Sequence, residues 1–331
     1  MHPTVELLLQ RRAEVSRESW DALWDALRDR SLDRDDALAL LGSLAGALPG
    51  PVSSAALLES FAGRRATGPE RRPGTVNVVG TGGGPATFNI STAAAFTAAA
   101  IGVPVVKSGS RAYTGVLGSI DLLERLGIRP AGSYPQIEDS LDRFGLAFAG
   151  GFVYPAELTR LARLILPAGL RPFGRFLNTL GPFLAELPVT AQVTGVSDPA
   201  VLPLLRDLAA TVPDRRIWLS TNDAGADELL PFAVNTVDTN SGTVPALPAP
   251  SGGTLADLRP GTGPAGAAAR FLEVVAGSAG DVATRTVAFN AAALALAGGH
   301  ATAWEPAVAE AGKALREGAV LALVMRMRTD G

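Results

Sequence analysis

Two consecutive strand–loop–helix units constrain the fold of this chain more than any other feature. The first has an apolar run at residues 76–79, a glycine-rich loop at 80–84 and then an alanine-rich helical stretch. The second has an apolar run at 103–106, a polar loop at 107–111 and another helical stretch. Strands connected through helices pair in parallel, and ligands bind at the carboxyl ends of such strands. The pattern predicts a parallel sheet with a ligand site at that edge.

The rest of the chain predicts a second, helical unit. Apolar residues recur at helical spacing over residues 3–62, with Ser31 or Asp33 as a helix start, and a polar linker follows at 64–73. We predict an α/β protein with a small helical N-terminal domain and a larger α/β domain, whose central, mostly parallel sheet is flanked by helices. The predicted helical domain is 1–63, joined by roughly 156–188, and the predicted α/β domain is 74–155 with 189–331.

Several segments complete this outline. Further strands are predicted at 191–196 and 216–220, while the proline- and glycine-punctuated run at 167–188 is typical of a connection back to the sheet. The stretch at 241–266 is predicted to be irregular. Alanine and leucine periodicity predicts helices at 156–167, 282–298 and 302–322.

Composition excludes several classes of chemistry. The chain has no cysteine and only two histidines, His2 and His300, so thiolate sites, histidine metal sites and a Ser-His-Asp triad are not expected. A net charge of −3 argues against nucleic acid as a partner. No apolar run reaches the roughly 18 residues of a membrane span, and the first residues lack a secretory signal pattern, so we expect a cytoplasmic protein without a membrane partner.

Three features could carry chemistry at the predicted sheet edge. The loop at 80–84, followed by Ser91 and Thr92 at a helix start, could hold an anion on backbone amides. Lys107 could pair with a phosphate, and Asp227 with Glu228 could hold Mg²⁺. Each also has an ordinary explanation. The loop could be a tight turn, the lysine could be solvated, and the acidic pair could stabilise a helix N-terminus.

The order and spacing of these features resemble those of anthranilate phosphoribosyltransferases. The resemblance covers most of the chain and is most specific at 80–127. It rests on Gly80-Thr81-Gly82-Gly83, Phe88-Asn89-Ile90-Ser91-Thr92, Val105-Val106-Lys107-x-Gly109-x-Arg111, Gly118-Ser119-x-Asp121-Leu122-Leu123-Glu124-x-Leu126-Gly127, Asn178-x-Leu180-Gly181-Pro182, Asp227-Glu228-Leu229 and Asn290-Ala291-Ala292.

The resemblance implies a Mg²⁺-dependent phosphoribosyl (pentosyl) transferase that uses phosphoribosyl pyrophosphate. The large domain would bind this donor, with Mg²⁺ as cofactor and Ser91, Asp227 and Glu228 as its contacts. No general acid or base is expected, because a metal-bound pyrophosphate is a good leaving group. The implied donor-binding residues are Gly80, Gly82, Gly83, Asn89, Thr92, Lys107, Gly109 and Ser119.

Departures from the family pattern suggest altered donor loops and a different acceptor. Gly84-Pro85 stands where the family has Asp-Gly, and the lysine loop carries Ser108 and Ser110 in place of histidine and asparagine. The family's His-Pro element reads Tyr154-Pro155, and Arg163, Arg171 and Arg175 compete for the position of the arginine that pairs with anthranilate. We predict a small aromatic acceptor other than anthranilate, bound by Ser110, Tyr113, Tyr154, Arg171, Arg175 and Asn178.

Two other functions stay open at this level. One is a nucleoside-phosphorylase-like enzyme that uses phosphate on a related fold. The other is a catalytically inactive homologue that only binds a ligand. The resemblance to the anthranilate phosphoribosyltransferase family also implies a homodimer formed through the N-terminal helices.

Overall fold

The computed structural model describes residues 1–65, 69–109 and 117–329. Its centre is a six-stranded sheet with the order β3-β2-β1-β4-β5-β6, in which the first five strands are parallel and β6 runs antiparallel to β5. This architecture confirms the predicted fold class. The strands are β1 (Arg72–Gly80), β2 (Val105–Ser108), β3 (Leu146–Ala149), β4 (Val189–Gly195), β5 (Arg216–Asn222) and β6 (Asn235–Thr239).

Helices cover both the sheet and the N-terminal part of the chain. They are α1 (Pro3–Gln10), α2 (Arg17–Arg28), α3 (Arg34–Gly46), α4 (Pro51–Gly63), α5 (Ile90–Ala100), α6 (Ser119–Leu126), α7 (Tyr134–Phe144), α8 (Ala156–Leu164), α9 (Gly174–Leu184), α10 (Leu202–Ala210), α11 (Gly263–Val275), α12 (Asp281–Gly298), α13 (Trp304–Arg316) and α14 (Ala319–Thr329). Short 3₁₀ turns lie at Gly151–Val153, Arg171–Phe173, Pro199–Val201 and Leu255–Leu258.

Local chemistry explains where the early helices begin. The Ser16 side chain accepts a hydrogen bond from the Ser19 amide at the start of α2. The Asp33 carboxylate accepts one from the Asp36 amide at 2.7 Å, which confirms Asp33 as a helix start. Side-chain oxygens at this position satisfy amides that have no partner within the helix.

The central strands end at the same level. Gly80 of β1 pairs with Gly195 of β4, and Gly195 pairs in turn with Ser220 of β5. On the other side of β1, Lys107 and Ser108 of β2 pair with Phe148 and Ala149 of β3. Because parallel strands share one direction, the loops that follow them meet at one edge of the sheet.

The helices α1 to α4 share a hydrophobic core with later segments of the chain. Trp20, Trp24 and Phe61 lie in this core, and α8 and α9, with the residues that follow them, contribute Leu161, Ile165, Phe176, Leu180 and Leu184. A larger core on the sheet is built around α5 and α12, whose many alanines allow close packing. On this packing we propose the division into 1–63 with 156–188, and 74–155 with 189–331.

Three predicted segments are corrected by the structure. Lys107 and Ser108 belong to β2 and not to a loop, because their pairing with β3 continues the strand. The run at 167–188 contains the helix α9, and its Pro182 lies near the end of that helix. The helix predicted at 302–322 is two helices, separated at Gly318, which has a φ of +82°. Among the described helices, none is long and apolar enough to cross a bilayer.

Trp24 provides a test of the helical core. Its ring stacks on Trp20 at 5.8 Å and on Phe61 at 4.9 Å, and 1% of the residue is exposed. We expect Trp24→Ala to lower the free energy of unfolding by about 3–5 kcal/mol, through lost burial and a cavity. The control Val52→Ala lies on α4 at 61% exposure and should change it by less than about 0.5 kcal/mol. Urea unfolding followed by circular dichroism measures both, and equal effects would contradict this assignment.

Candidate active site

A cleft of about 270 Å³ lies at the carboxyl edge of the sheet, between the sheet loops and α9. It brings together most of the residues that the sequence singled out. The lining includes the glycine loop, the start of α5, the end of β2 and the start of α6, together with Tyr154, Leu177, Asn178, Gly181, Pro182, Asp227, Glu228, Pro260 and Ala267.

The glycine loop is held in place by neighbouring loops. Gly82 and Gly83 have φ values of +62° and +84°, a region that glycine adopts without strain. The Gly82 amide donates to Asp227 Oδ2 at 3.0 Å, and the Gly82 carbonyl accepts from the Ser197 hydroxyl. The loop is therefore ordered by protein groups, and one of its amides is already engaged by a carboxylate.

Two glycines make room for the Asp227 loop. A Cβ atom on Gly80 would overlap Asp227 Oδ2, and one on Gly195 would overlap the Asp227 carbonyl oxygen. Any larger residue at the end of either central strand would displace the acidic loop, so these glycines determine where the carboxylates lie.

Two asparagines shape the acidic loop. The Asn222 side chain donates to the Glu228 carbonyl at 2.8 Å, and its Oδ1 accepts from the Ala226 amide at 3.1 Å. Asn290, on α12, donates to the Leu229 carbonyl at 2.7 Å and accepts from the Leu229 amide at 3.1 Å. Asp227 and Glu228 thus lie in a loop braced on both sides, and the alternative of a first helical turn is wrong for them.

Glu228 presents a buried carboxyl oxygen without a partner, next to a small cavity. Burial, followed by the charge and the hydrogen bond of Asp227, raises the pKa of Glu228 well above its usual range. Its Oε2 atom is buried without a hydrogen-bond partner. A cavity of about 20 Å³, lined by both carboxylates, Ser91 and Asn290, lies beside it and has room for one water or ion.

These residues fit a magnesium ion. Carboxylate and hydroxyl oxygens suit Mg²⁺, which is commonly held by one or two carboxylates and completed by water and substrate oxygens. Among the described residues, no group of three acidic, histidine or cysteine side chains forms a complete metal cage. Water and ligand oxygens would complete the coordination of a cation here.

Lys107 is a buried amine in the same cleft. Its Nζ donates to the Val78 carbonyl at 3.0 Å, and 4% of the residue is exposed. Burial lowers the pKa of Lys107 to about 8, although the charges of Glu228 and Asp227 act in the opposite direction. The alternative of a solvated lysine at a strand end is wrong, because almost none of the side chain reaches solvent.

The other predicted donor residues differ in their positions. Asn89 lines the cleft and donates to the Leu117 carbonyl at 3.0 Å. Gly109 and Ser119 both line it, and a Cβ on Gly109 would overlap the Ser119 hydroxyl. Thr92 is fully buried, its hydroxyl has no partner, and it is absent from the lining. Its place in the first turn of α5 directs it toward the core.

The structure places only some of the predicted acceptor-binding residues in the cleft. Tyr154 and Asn178 line the cleft. Arg171 and Arg175 are exposed and do not line it, and Arg175 lies 3.9 Å from Asp198. Both arginines come before the part of α9 that faces the cleft. Because this segment was predicted as a connection and not as a helix, the sequence spacing could not show which way their side chains point. Ser110 and Tyr113 lie outside the described residues.

Sequence reasoning missed several residues of this site. Ser197 was not singled out, because a serine after a strand carries no pattern of its own. Asn222 was passed over beside the acidic pair, although asparagine in a turn is a common backbone brace. Asn77 and Gln192 lie inside apolar strand runs, and a polar residue there was the available signal.

The fold and the cleft define an α/β protein with a polar ligand site between a parallel sheet and a helical unit. Comparison with known proteins agrees with this α/β architecture. Residues 72–321 match the family described as "Glycosyl transferase family, a/b domain". The anthranilate phosphoribosyltransferase of Methylorubrum extorquens is 33% identical over 270 residues, which covers 77% of this chain and 76% of that protein. The chain belongs to the anthranilate phosphoribosyltransferase family.

Other relatives agree over different lengths. The enzyme of the same name from Desulfitobacterium hafniense is 36% identical over 192 residues, covering 57% of this chain and 55% of that protein, so this match spans about half of the relative. The anthranilate phosphoribosyltransferase structure from Thermus thermophilus has a TM-score of 0.80 at 27% identity and covers 99% of both chains. The Saccharomyces cerevisiae enzyme, solved with PRPP and Mg, shares the fold, with a TM-score of 0.74, 19% identity and coverage of 98% and 96%.

Burial of Lys107 predicts a pH-dependent gain of stability on its removal. A lysine whose pKa falls from 10.5 to about 8 on folding destabilises the native state below pH 8, and the penalty is lost as pH rises toward 10.5. We expect Lys107→Met to raise the free energy of unfolding by up to about 3 kcal/mol at pH 7, and this gain to shrink by about pH 10.

Urea unfolding at both pH values measures this difference. The only other lysine, Lys313, has a side chain that is 67% exposed, so Lys313→Met is a matched control that should change little at either pH. A Lys107→Met protein that is less stable than wild type at neutral pH would show that the carboxylates more than compensate the buried charge.

Proposed function

We propose that this protein transfers a phosphoribosyl group from phosphoribosyl pyrophosphate to a small aromatic acceptor, with Mg²⁺ as cofactor. The observation that carries the proposal is the convergence of the glycine loop, buried Lys107 and the Asp227–Glu228 pair in one cleft. Backbone amides and a lysine suit phosphate oxygens, and the carboxylates suit the cation that accompanies them. Family membership supports the same function.

The donor would occupy the part of the cleft formed by the glycine loop and the start of α6. Gly80, Gly82 and Gly83 offer backbone close to a ligand, and Lys107 offers a point charge. Gly109 and Ser119 extend the polar wall, with Asn89 holding the Leu117 segment in place. Thr92 would support α5 from the core and would not contact the donor.

Asp227, Glu228 and Ser91 would hold Mg²⁺. The bound cation would neutralise pyrophosphate charge and make it a better leaving group. Glu228 supplies an oxygen without a protein partner. Asp227 already accepts from the Gly82 amide, so the carboxylate that holds the glycine loop would also hold the cation. This arrangement needs no general acid or base, and the chain would act by positioning and by charge.

The acceptor would lie on the side of the cleft formed by Tyr154 and Asn178. The relatives carry anthranilate in their names, and the comparisons do not support a different acceptor, so anthranilate belongs at the head of any panel. Among the described lining residues, Lys107 is the only cation. The departures at Ser108 and Tyr154 are the reason to include other aromatic amines and acids in that panel.

Calorimetry with phosphoribosyl pyrophosphate and Mg²⁺ tests the proposal. We expect Mg²⁺-dependent binding by the wild-type protein, and a loss of at least about tenfold in affinity for Asp227→Asn with Glu228→Gln, because the cation loses both carboxylates. The pair Glu138→Gln with Asp139→Asn removes the same charge from exposed positions on α7 and should bind normally. No heat from wild type would remove the proposal.

The same samples separate the two alternatives. Phosphate-dependent release of a base from nucleosides would indicate a nucleoside-phosphorylase-like enzyme. Donor binding without turnover of any acceptor in the panel would indicate an inactive ligand-binding homologue. A homodimer through the N-terminal helices stays a prediction, and it accords with the exposed apolar side chain of Leu9 in that part of the chain.

A further inference from the structure

One backbone donor of the glycine loop is engaged by a carboxylate. Gly82 lines the cleft, and its amide donates to Asp227 Oδ2 at 3.0 Å. A backbone amide has one hydrogen to donate, and a bond to a carboxylate is stronger than a bond to a neutral oxygen. A phosphate oxygen can therefore take this hydrogen only after the Asp227 carboxylate has left it.

The glycine loop keeps its shape through other contacts. The Thr81 amide donates to the Gly195 carbonyl at 2.9 Å, and the Ser197 amide donates to the Thr81 hydroxyl at 3.3 Å. The Ser197 hydroxyl donates to the Gly82 carbonyl. These bonds run to β4 and the residues that follow it, and none of them involves Asp227. If the carboxylate turns away, the Gly82 amide stays in the wall of the cleft and can donate to an anion.

The backbone of Asp227 is fixed as well. The Asn222 side chain donates to the backbone carbonyls on either side of Asp227, at 3.0 Å and 2.8 Å. The Asp227 carbonyl lies against Gly195, where a Cβ would overlap it. Asp227 borders both the cleft and the small cavity beside Glu228. Rotation of the side chain alone can therefore carry the carboxylate from the Gly82 amide toward a cation in that cavity.

Gly84 allows this close contact between the two loops. A Cβ at this position would lie 2.9 Å from the Gly225 carbonyl oxygen and 3.3 Å from Ala226 Cα, both in the acidic loop. A Cβ on Gly80 would overlap the Asp227 carboxylate. The glycine that departs from the family pattern at 84 is therefore one of the residues that let the acidic loop pack directly on the glycine loop.

We propose that Asp227 makes the glycine loop selective for anions that arrive with a divalent cation. Without the cation, its carboxylate keeps the Gly82 amide and repels a free anion. With the cation, the carboxylate turns to the metal and leaves the amide to a phosphate oxygen. The inference rests on the proposed function, because it concerns the donor side of the same cleft. It also disfavours free phosphate, which the phosphorylase-like alternative would require.

Calorimetry with inorganic pyrophosphate in the presence of EDTA tests this selection without turnover, acceptor or metal. We expect Asp227→Ala to bind pyrophosphate at least about tenfold more tightly than wild type, because a charged competitor for the amide is gone. With excess Mg²⁺ the order should reverse, because wild type then uses the carboxylate as a metal ligand. A gain of binding also excludes misfolding of the variant as the cause.

Two further variants separate the hydrogen bond from the charge. Gly84→Ala keeps every charge but presses a methyl group on the Gly225 carbonyl, so it should loosen the Asp227 contact and raise the metal-free affinity by a smaller factor. Asp223→Asn removes a charge from an exposed position of the acidic loop and can keep its bond to the Val234 amide, so it should bind like wild type. An equal gain in Asp223→Asn, or no gain in Gly84→Ala, would show that charge alone governs anion binding and would overturn the proposal.

The Gly82 amide itself gives a second measurement. The chain has five Thr–Gly pairs, so ¹³C′-threonine with ¹⁵N-glycine labelling leaves at most five amide signals, and Thr81→Ser assigns that of Gly82. We expect this signal to move in Asp227→Ala. Pyrophosphate with EDTA should move it further in that variant and leave it unmoved in wild type, where Mg²⁺ with pyrophosphate should move it. A shift caused by pyrophosphate in metal-free wild type would contradict the proposal.

The outcomes distinguish this inference from the proposed function. If wild type binds phosphoribosyl pyrophosphate with Mg²⁺ but Asp227→Ala gains no metal-free binding of pyrophosphate, only the inference fails. If wild type binds no phosphoribosyl pyrophosphate, the proposed function fails. The metal-free titration then still decides whether Asp227 controls access to the Gly82 amide.

Discussion

The site depends on the close contact between the Asp227 loop and the ends of the two central strands. Gly80 and Gly195 lie at the same register level, and neither position has room for a Cβ beside Asp227. The carboxylate can therefore reach the Gly82 amide, and the Oε2 atom of Glu228 is carried into the buried space behind it. In this chain Gly80 and Gly195 make room for the Asp227 loop, in addition to any room that they leave for a ligand. The glycine loop, the candidate cation site and the sheet edge form one packed unit.

Burial of charge gives that unit its chemistry and reduces its stability. Lys107 is almost completely buried. The pKa of Glu228 is raised because burial and the charge of Asp227 both disfavour its ionised form. In a medium of low dielectric such groups interact strongly with a charged ligand and are costly without one. The apolar strands and α12 keep them in place. A site of this kind gives up folding stability for binding, which is a common compromise at functional sites.

The secondary structure predicted from the sequence agrees with the observed elements where a single hydrophobic period runs through the segment. It agrees poorly where polar residues, glycines or prolines interrupt that period. The valines of β1 and the alanines of α5 were assigned correctly because their spacing belongs to one element. Lys107 was placed in a loop because a lysine rarely continues a buried strand, and α9 was missed because glycines and prolines surround it. The direction of Arg175 depends on α9, so it could not be predicted before that helix was known.

The sequence by itself determined the first two strand–loop–helix units, the glycine loop between a strand and a helix start, and a family pattern that contains both Lys107 and the distant pair Asp227–Glu228. Those properties are local or are carried by spacing along the chain. Only the tertiary structure decided that Thr92 turns into the core, that Asp227 accepts a hydrogen bond from the Gly82 amide, and that Asn77 and Gln192 connect Arg215 to Ser108. Each of these depends on segments far apart in sequence or on how a helix packs, and such contacts exist only once the elements have been placed.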